Sequence, residues 1–373
     1  MKIVINAFSA RLGGGQTYLM QLLSHLPAFG IEVVLYAPES LIIPNDPRIR
    51  RQKTRWPVEN PLLRAAWERF VLPSILRRER ADILFCPGGV VATKVPADCK
   101  TVTMFRNMMP FTPDIVDQMP WGPGRFRYII LHRVLLQSFA SADLTIFISN
   151  HARSVVERAG AVKKGIVIVH GIGDDFRSHD MDLPKPDLAP DTGYLLYVSR
   201  FEIYKHHRQV VEGFANLPPE IQARYPLVLI GEDDLPEADA VRQLVGELQM
   251  EDRVWIMGAV GYRELPSWYK HAKLVIFASS CENCPNILLE SLGSGRPVLS
   301  SDVMPMPEFG GPDIAYFDPR APESLTQSMH AALTDGELER RLGAASIAAS
   351  KGYDWSLTAK RTWDALRDVM KAS

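Results

Sequence analysis

The stretch "KLVIFASSCENCPNILLESLGSGRPVLSSD", residues 273–302, holds most of what decides the fold. It opens on an apolar run of strand length that ends in two serines. "PNILLESL" follows with helical spacing behind a proline suited to a first helical turn, and "GSGRPVLSSD" turns tightly into a second apolar strand. Strand, loop, helix, strand is the unit of a parallel sheet, and ligands of such sheets sit beyond the strand carboxyl ends, where loop 279–285 lies. Two readings of that loop compete. Cys281-x-x-Cys284 points to redox or metal chemistry, whereas Glu282, seven residues and Glu290 form a pair of carboxylates able to hold hydroxyl groups.

The same unit recurs on both sides. The chain begins "KIVINAF", "SARLGGGQ", "TYLMQLLSHLPAFG", "IEVVLYAP": strand, glycine loop, helix, strand. Apolar strands follow at 82–89, 100–105, 143–149 and 165–172, with helices at 124–140 and 150–159, the latter capped by Ser149 or Asn150. Residues 178–193, "SHDMDLPKPDLAPDTG", are polar and proline-rich and read as a linker. The pattern then restarts, with strands at 194–200, 226–232, 253–258, 274–280, 297–302 and 314–319. This predicts an α/β protein of two doubly wound parallel-sheet domains, 1–177 and 194–352, whose strand ends face a shared cleft. A closing helix is expected over 353–373.

Bulk properties narrow the function. A 373-residue chain is too long for one ordinary core and suits two. A net charge of -1 argues against a general nucleic-acid binder. No signal pattern, no membrane-spanning run and only four cysteines lead to the expectation of a cytoplasmic protein with free thiols. The charge is uneven: residues 1–190 carry 24 Lys and Arg against 17 Asp and Glu, and Arg48 to Arg80 alone holds ten basic residues and three acidic ones. That segment, with Arg64, Trp67, Phe70 and Val71 at helical spacing, reads either as a solvated helix face or as a surface drawn to an anionic membrane at the inner face of the cell. It equally suits a lipid-phosphate acceptor.

Three constellations carry chemistry. Gly13-Gly14-Gly15 follows a strand and opens a helix, so Gly14 and Gly15 can bring backbone close to a phosphate or sugar; a plain tight turn is the alternative. The G-x-G-x-x-G spacing is absent and no acid closes the second strand, which disfavours NAD. Arg200 and Lys205, in "SRFEIYKHH", stand in a strand-to-helix loop where a guanidinium and an ammonium can clamp one diphosphate. His206 and His207 are expected on the helix exterior, without a role. In the third, Glu282 and Glu290 flank a helix start whose Asn286, Ile287 and Leu288 amides lack intrahelical partners. Metal and redox roles for Cys281 and Cys284 find no supporting ligands nearby, and the thiols read as buried loop fillers.

In order, "YVSRFEIYKHH", "LVLIGE", "VWIMGAV", "LPSWYKHAKLVIFASSCENCPNILLESLGSGRPVLSSD", "MPE" and "YFDP" resemble a retaining glycosyltransferase of family 4. "GGGQTYLMQLL" and "SNHARSVVERAG" extend the resemblance to the N-terminal half. It implies the GT-B fold. It also implies transfer of a hexose, with mannose as one candidate, from a nucleotide-diphosphate sugar to a glycan or lipid-linked acceptor of surface polysaccharide such as lipopolysaccharide. Arg200 and Lys205 would neutralise the leaving diphosphate, Glu282 would face the donor sugar and Glu290 the ribose. Asn286 to Leu288 with Gly14 and Gly15 would line the sugar-diphosphate, and Val260 and Gly261 would meet the base. Where many members carry a sugar-contacting histidine, this chain offers Arg106 and Asn107. No cofactor is expected beyond the co-substrate, and no metal, since two cations can stand in for a divalent ion. The rival readings are a sugar-nucleotide epimerase or phosphorylase, a glycosidase, and a non-catalytic nucleotide-sugar binder.

Overall fold

The structure, a computed structural model, describes residues 1–11 and 13–371. Its strands, all paired in parallel, form two sheets. The first holds β1 (Lys2–Asn6), β2 (Glu32–Tyr36), β3 (Ile49–Arg51), β4 (Ile83–Cys86), β5 (Lys100–Phe105), β6 (Leu144–Phe147) and β7 (Gly165–Val167) in the order β3-β2-β1-β4-β5-β6-β7. The second holds β8 (Leu195–Val198), β9 (Leu227–Ile230), β10 (Val254–Ile256), β11 (Leu274–Phe277), β12 (Val298–Ser301) and β13 (Ala315–Phe317) in the order β10-β9-β8-β11-β12-β13. Helices connect most of them, and strands buried on both faces explain the unbroken apolar runs. The expected α/β class of two doubly wound sheets is what the chain adopts.

Two compact units result, Met1–Gly171 with the C-terminal helix Trp355–Lys371, and Ile172–Asp354. The division falls between Gly171 and Ile172 rather than after residue 177, because Phe176 packs on Tyr262 and Tyr269 of the second unit. Residues 178–193 are tied to that unit as well: Lys270 Nζ donates to the His179 carbonyl at 2.7 Å, and His271 Nε2 lies 2.8 Å from the Leu183 carbonyl.

In the first unit Trp67 fills the space between Phe8 and Tyr36, at ring distances of 5.3 and 5.2 Å. The C-terminal helix lies on helix Gly14–Ser24; Trp363 is buried there and donates from Nε1 to the Leu22 carbonyl at 3.1 Å. Burying a side chain of that kind contributes roughly 2 kcal/mol. Helix Gly14–Ser24 stops short of the run to residue 30, since Pro27 cannot continue it. In the second unit Tyr197, Phe201, Phe214 and Leu229 centre the core between sheet and helices.

Candidate active site

In the second sheet the chain reverses its direction of build at β8: β9 lies on one side and β11 on the other. A crevice outside the carboxyl ends of two such strands is where doubly wound sheets take ligands. Register sets Val198 at the end of β8 and Phe277 at the end of β11 side by side, since Ile276 pairs Tyr197. The loops leaving both ends therefore meet, and the Ser280 amide donates to the Tyr204 carbonyl at 2.9 Å.

Lys205 and Glu282 sit at this junction. Lys205 is 7% exposed, and its Nζ donates to Glu282 Oε1 in a direct ion pair. The ammonium also stands 5.5 Å from the Tyr204 ring centre and 5.6 Å from that of Phe277, so aromatic faces wall the charge. Tyr197 fixes the loop from below by donating its hydroxyl to the Lys205 carbonyl at 2.6 Å. Arg200 is half-exposed in the same loop; its Nη2 donates to both Asp234 carboxylate oxygens at 3.1 Å, and its Nε lies 3.3 Å from Glu232. Asp234 before all else raises the guanidinium pKa. Glu202, which accepts from the Tyr204 hydroxyl, is held above the usual carboxylate range by burial, against the pull of Lys205 and Arg200.

The histidines differ from expectation. His206 adopts a left-handed conformation, φ 54°, which turns the chain into helix His207–Ala215 and points His207 inward. His207 is fully buried, stacked on Phe201 with ring centres 4.1 Å apart, and burial drives its pKa down to about 3. It is a neutral core residue, not an exterior one. His206 Nε2 lies 2.7 Å from Ser280 Oγ and adds a second tie between the loops.

Helix Asn286–Gly293 starts after Pro285. The Asn286 amide was expected to be free; it donates to the Cys284 carbonyl at 2.9 Å, because the loop closes a tight turn there. Ile287 and Leu288 follow within the first turn, where no intrahelical carbonyl reaches their amides. One turn on, Glu290 accepts from the Tyr262 hydroxyl at 2.9 Å, and burial raises its carboxyl pKa to about 7. Tyr262 belongs to the loop carrying Val260 and Gly261, so that loop reaches Glu290 through a residue the sequence reading passed over. Cys281 and Cys284 are buried and free of disulfide.

The glycine loop and Arg106 belong to the first unit. Gly13, φ 61°, adopts a backbone that favours glycine and precedes the helix, which begins at Gly14. A Cβ on Gly15 would stand 2.9 Å from Arg106 Nη1, so the missing side chain lets the guanidinium lie against the loop. Arg106 also sits 5.7 Å over the Tyr18 ring. Asn107 spends its side-chain oxygen on the Met109 amide at 3.1 Å, shaping its own turn. A cavity of about 350 Å³ opens past the carboxyl ends of β1, β2 and β3. Phe8, Trp56, Ser40 and Gln52 are among its walls, an aromatic and polar lining that no spacing in the sequence announced.

Residues 12–176 match the model of Glycosyltransferase Family 4, and residues 180–348 match that of Glycosyl transferases group 1. The serotype-specific mannosyltransferase WbdA of Escherichia coli is 25% identical over 298 residues, 77% of this chain and 36% of that protein. The chain thus spans about a third of WbdA's length. The O-antigen chain mannosyltransferase B of Escherichia coli is 28% identical over 276 residues, covering 72% of this chain and 70% of its own. Among solved structures, sucrose-phosphate synthase from Thermosynechococcus elongatus superimposes with a TM-score of 0.76 at 17% identity, covering 100% of this chain and 99% of its own. WaaG, a glycosyltransferase involved in lipopolysaccharide biosynthesis, gives 0.75 at 15%, with 98% and 99% covered. Anabaena HepE in complex with UDP-glucose gives 0.74 at 16%, with 99% and 100% covered.

Proposed function

The chain belongs to the glycosyltransferases described by the family 4 and group 1 models, with the GT-B fold, and from that premise we propose that it transfers a hexose from a nucleotide-diphosphate sugar to a saccharide acceptor. Mannose is the sugar we favour, because both Escherichia coli relatives are named mannosyltransferases and one of them is an O-antigen chain enzyme. A glycan or lipid-linked saccharide of a surface polysaccharide is the matching acceptor.

One observation carries the reading: the Lys205–Glu282 ion pair at the β8–β11 switch point, with Arg200 in the same loop. In the reaction the bond from the anomeric carbon to the diphosphate breaks, and negative charge grows on the departing oxygen. A fixed cation there lowers the barrier without reorganising, as electrostatic preorganisation requires. Lys205 is that cation in our reading, joined by Arg200 once its guanidinium turns from Asp234 to the diphosphate, with the Ile287 and Leu288 amides as further donors. Glu282 orients Lys205 and offers its remaining oxygen to donor-sugar hydroxyls, while Glu290 takes ribose hydroxyls in place of the Tyr262 hydroxyl. With two cations at the leaving group, no divalent ion is required; that the acceptor enters on the face the diphosphate leaves, keeping the anomeric configuration, is what the resemblance to retaining family 4 enzymes implies and forms part of the proposal.

A thermal-shift panel of GDP-, UDP- and ADP-sugars, followed by product analysis with the best binder, tests this. Expected are a stabilising donor, nucleoside diphosphate release that persists in EDTA, and a product of retained configuration by NMR. Absence of any nucleotide-sugar shift would overturn the reading, and an inverted product would overturn its mechanism.

A further inference from the structure

The cavity of about 350 Å³ beyond β1, β2 and β3 stands apart from the donor groups named above, Arg200, Lys205, Glu282 and Glu290, which all belong to the second unit. It falls at the small end of the roughly 300 to 1,000 Å³ typical of small-molecule pockets, which gives room for a ring or two and not for a whole nucleotide sugar. The loop after β3 supplies Trp56, 39% exposed, and that loop is tied down: the Trp56 amide donates to Thr54 Oγ1 at 3.2 Å, the Val58 amide to the Trp56 carbonyl at 2.8 Å, and Arg11 Nη2 to the Val58 carbonyl at 3.0 Å. Phe8, on another wall, packs edge-on against Trp67 with ring centres 5.3 Å apart, so the aromatic core of the unit backs the cavity.

The cations of the lining are committed within the protein. Arg51 donates to the carbonyls of Glu39, at 3.2 Å, and of Leu41; Arg11 Nη2 is held by the Val58 and Glu59 carbonyls; Lys53 Nζ lies 2.7 Å from Glu39 Oε1. A phosphate would have to break one of these contacts to gain a cation. Neutral groups have more to offer. Ser40 Oγ accepts from Gln16 Nε2 at 3.2 Å and Thr54 Oγ1 from the Trp56 amide, so each hydroxyl keeps its proton for donation, and the Gln52 amide can both donate and accept. A half-exposed indole beside neutral donors and acceptors matches a sugar ring, whose C–H face is apolar and whose rim is hydroxyl.

Position separates this ring from a reacting one. The strand order of the first sheet reverses between β1 and β4, and a doubly wound sheet takes its principal ligand in that crevice, bordered here by the loop at Gly13. The middle strand under the cavity is β2, one and a half strand spacings from the centre of the crevice, roughly 7 Å at a spacing of about 4.8 Å. We propose that the cavity is a subsite for a neutral hexose ring of the acceptor glycan other than the ring that is glycosylated, with Trp56 as its stacking platform. The inference rests on the transferase reading above. It adds that the first unit grips its acceptor by sugar and not by phosphate, and prefers a chain of sugars to a single one.

The test is calorimetric titration of the full chain with mannose, mannotetraose and maltotetraose, with inorganic pyrophosphate as competitor. A neutral tetrasaccharide should bind about tenfold more tightly than mannose, as a stacked ring adds to the contacts, and pyrophosphate should not displace it. Trp56→Ala should remove that advantage and Trp56→Phe should keep most of it. Gln52→Ala, at a second point of the lining, should weaken the tetrasaccharide by about fivefold through loss of one hydrogen bond. Circular dichroism and the thermal shift given by a nucleotide sugar should stay as in the parent, because both residues lie in the first unit and Trp56 is half-exposed. Tetrasaccharides that bind no better than mannose, displacement by pyrophosphate, or Trp56→Ala and Gln52→Ala variants that bind like the parent would overturn the proposal. A nucleotide-sugar shift that persists while the tetrasaccharides fail removes this subsite alone; loss of both removes the transferase reading as well.

Discussion

Replacing Lys205 by methionine separates two roles that one residue fills. Its ammonium is almost fully buried against Glu282, with side-chain exposures of 9% and 16% for the pair. Removing one partner of a buried pair leaves an uncompensated charge, which costs about 3 to 5 kcal/mol. At about 2 to 4 °C per kcal/mol for a unit of this size, Lys205→Met should melt roughly 6 to 20 °C lower. Adding Glu282→Gln removes the orphaned charge, and much of that loss should return. Turnover should behave otherwise. If Lys205 stabilises the departing diphosphate, Lys205→Met lowers kcat by about 10² to 10³, in the range of one lost transition-state donor. The double variant should then stay at or below that level, since it restores packing and not the cation. The assay is nucleoside diphosphate release at saturating donor, with melting followed on the same preparations. A double variant that regained both stability and turnover would show that Lys205 serves only to neutralise Glu282, and the leaving-group assignment would fall.

Glu290 has its carboxyl pKa raised to about 7, so donor binding through its ionised form should strengthen as pH rises from 6 to 8, and Glu290→Gln should flatten that profile. The sign for folding is opposite: a raised carboxyl pKa favours the native state below the unfolded value and loses that advantage as pH climbs through 7, so Glu290→Gln should gain stability relative to the parent at alkaline pH. Tyr262→Phe removes a hydrogen bond that favours the carboxylate, and should move the midpoint of the binding profile upward. Gly15→Ala should cost little stability, because the atom it meets is the end of a flexible arginine, yet it displaces Arg106. Its effect on kcat/KM should therefore match that of Arg106→Ala, and the two combined should be no worse than either, measured as a double-mutant cycle. Asp234→Asn frees Arg200 from a half-exposed pair worth at most about 1 kcal/mol, so donor affinity by calorimetry should rise no more than about fivefold.

What the sequence discloses and what it hides follow from chemistry. Central strands are legible because both faces are buried, which makes runs such as Ile83–Cys86 and Leu274–Phe277 uniformly apolar. β3 is not, since Ile49–Arg51 is a three-residue edge strand with two arginines and reads as part of a basic segment. Arg200, Lys205 and Glu282 are visible as charges beyond strand ends, but their partners are not all so. Lys205 meets Glu282 only because β8 and β11, far apart in sequence, are sheet neighbours. Glu232 and Asp234 follow β9, the other neighbour of β8, so the acids that hold Arg200 could have been anticipated from strand order. His207 could not: a single left-handed residue decides whether it faces solvent or core. Tyr262 carries no spacing signal at all, and only the path of its loop brings it to Glu290.

Those partners also bear on how a donor would be received. Arg200 is shared between Glu232 and Asp234, Lys205 is bound to Glu282, and Glu290 accepts from Tyr262. In our reading each charged side chain that meets the donor already has a protein partner, whereas the Ile287 and Leu288 amides do not draw on an intrahelical carbonyl. An incoming diphosphate or ribose therefore displaces partners at Arg200 and Glu290 and adds to the one at Lys205. The exchanges differ in cost because the pairs differ in burial. At Arg200 the pair is half-exposed and water compensates the released carboxylates, so the guanidinium is the mobile half of the clamp. At Lys205 the pair is enclosed, and parting it would strand a carboxylate; the ammonium must keep Glu282 while it meets the phosphate. Of its three donors one is committed to Glu282, and the others remain for the ligand. The clamp is thus asymmetric: a fixed charge built into the junction of β8 and β11, and a swinging one at its edge. Substitutions at the fixed charge should tell on folding and turnover together, and those at the swinging charge on turnover and affinity alone.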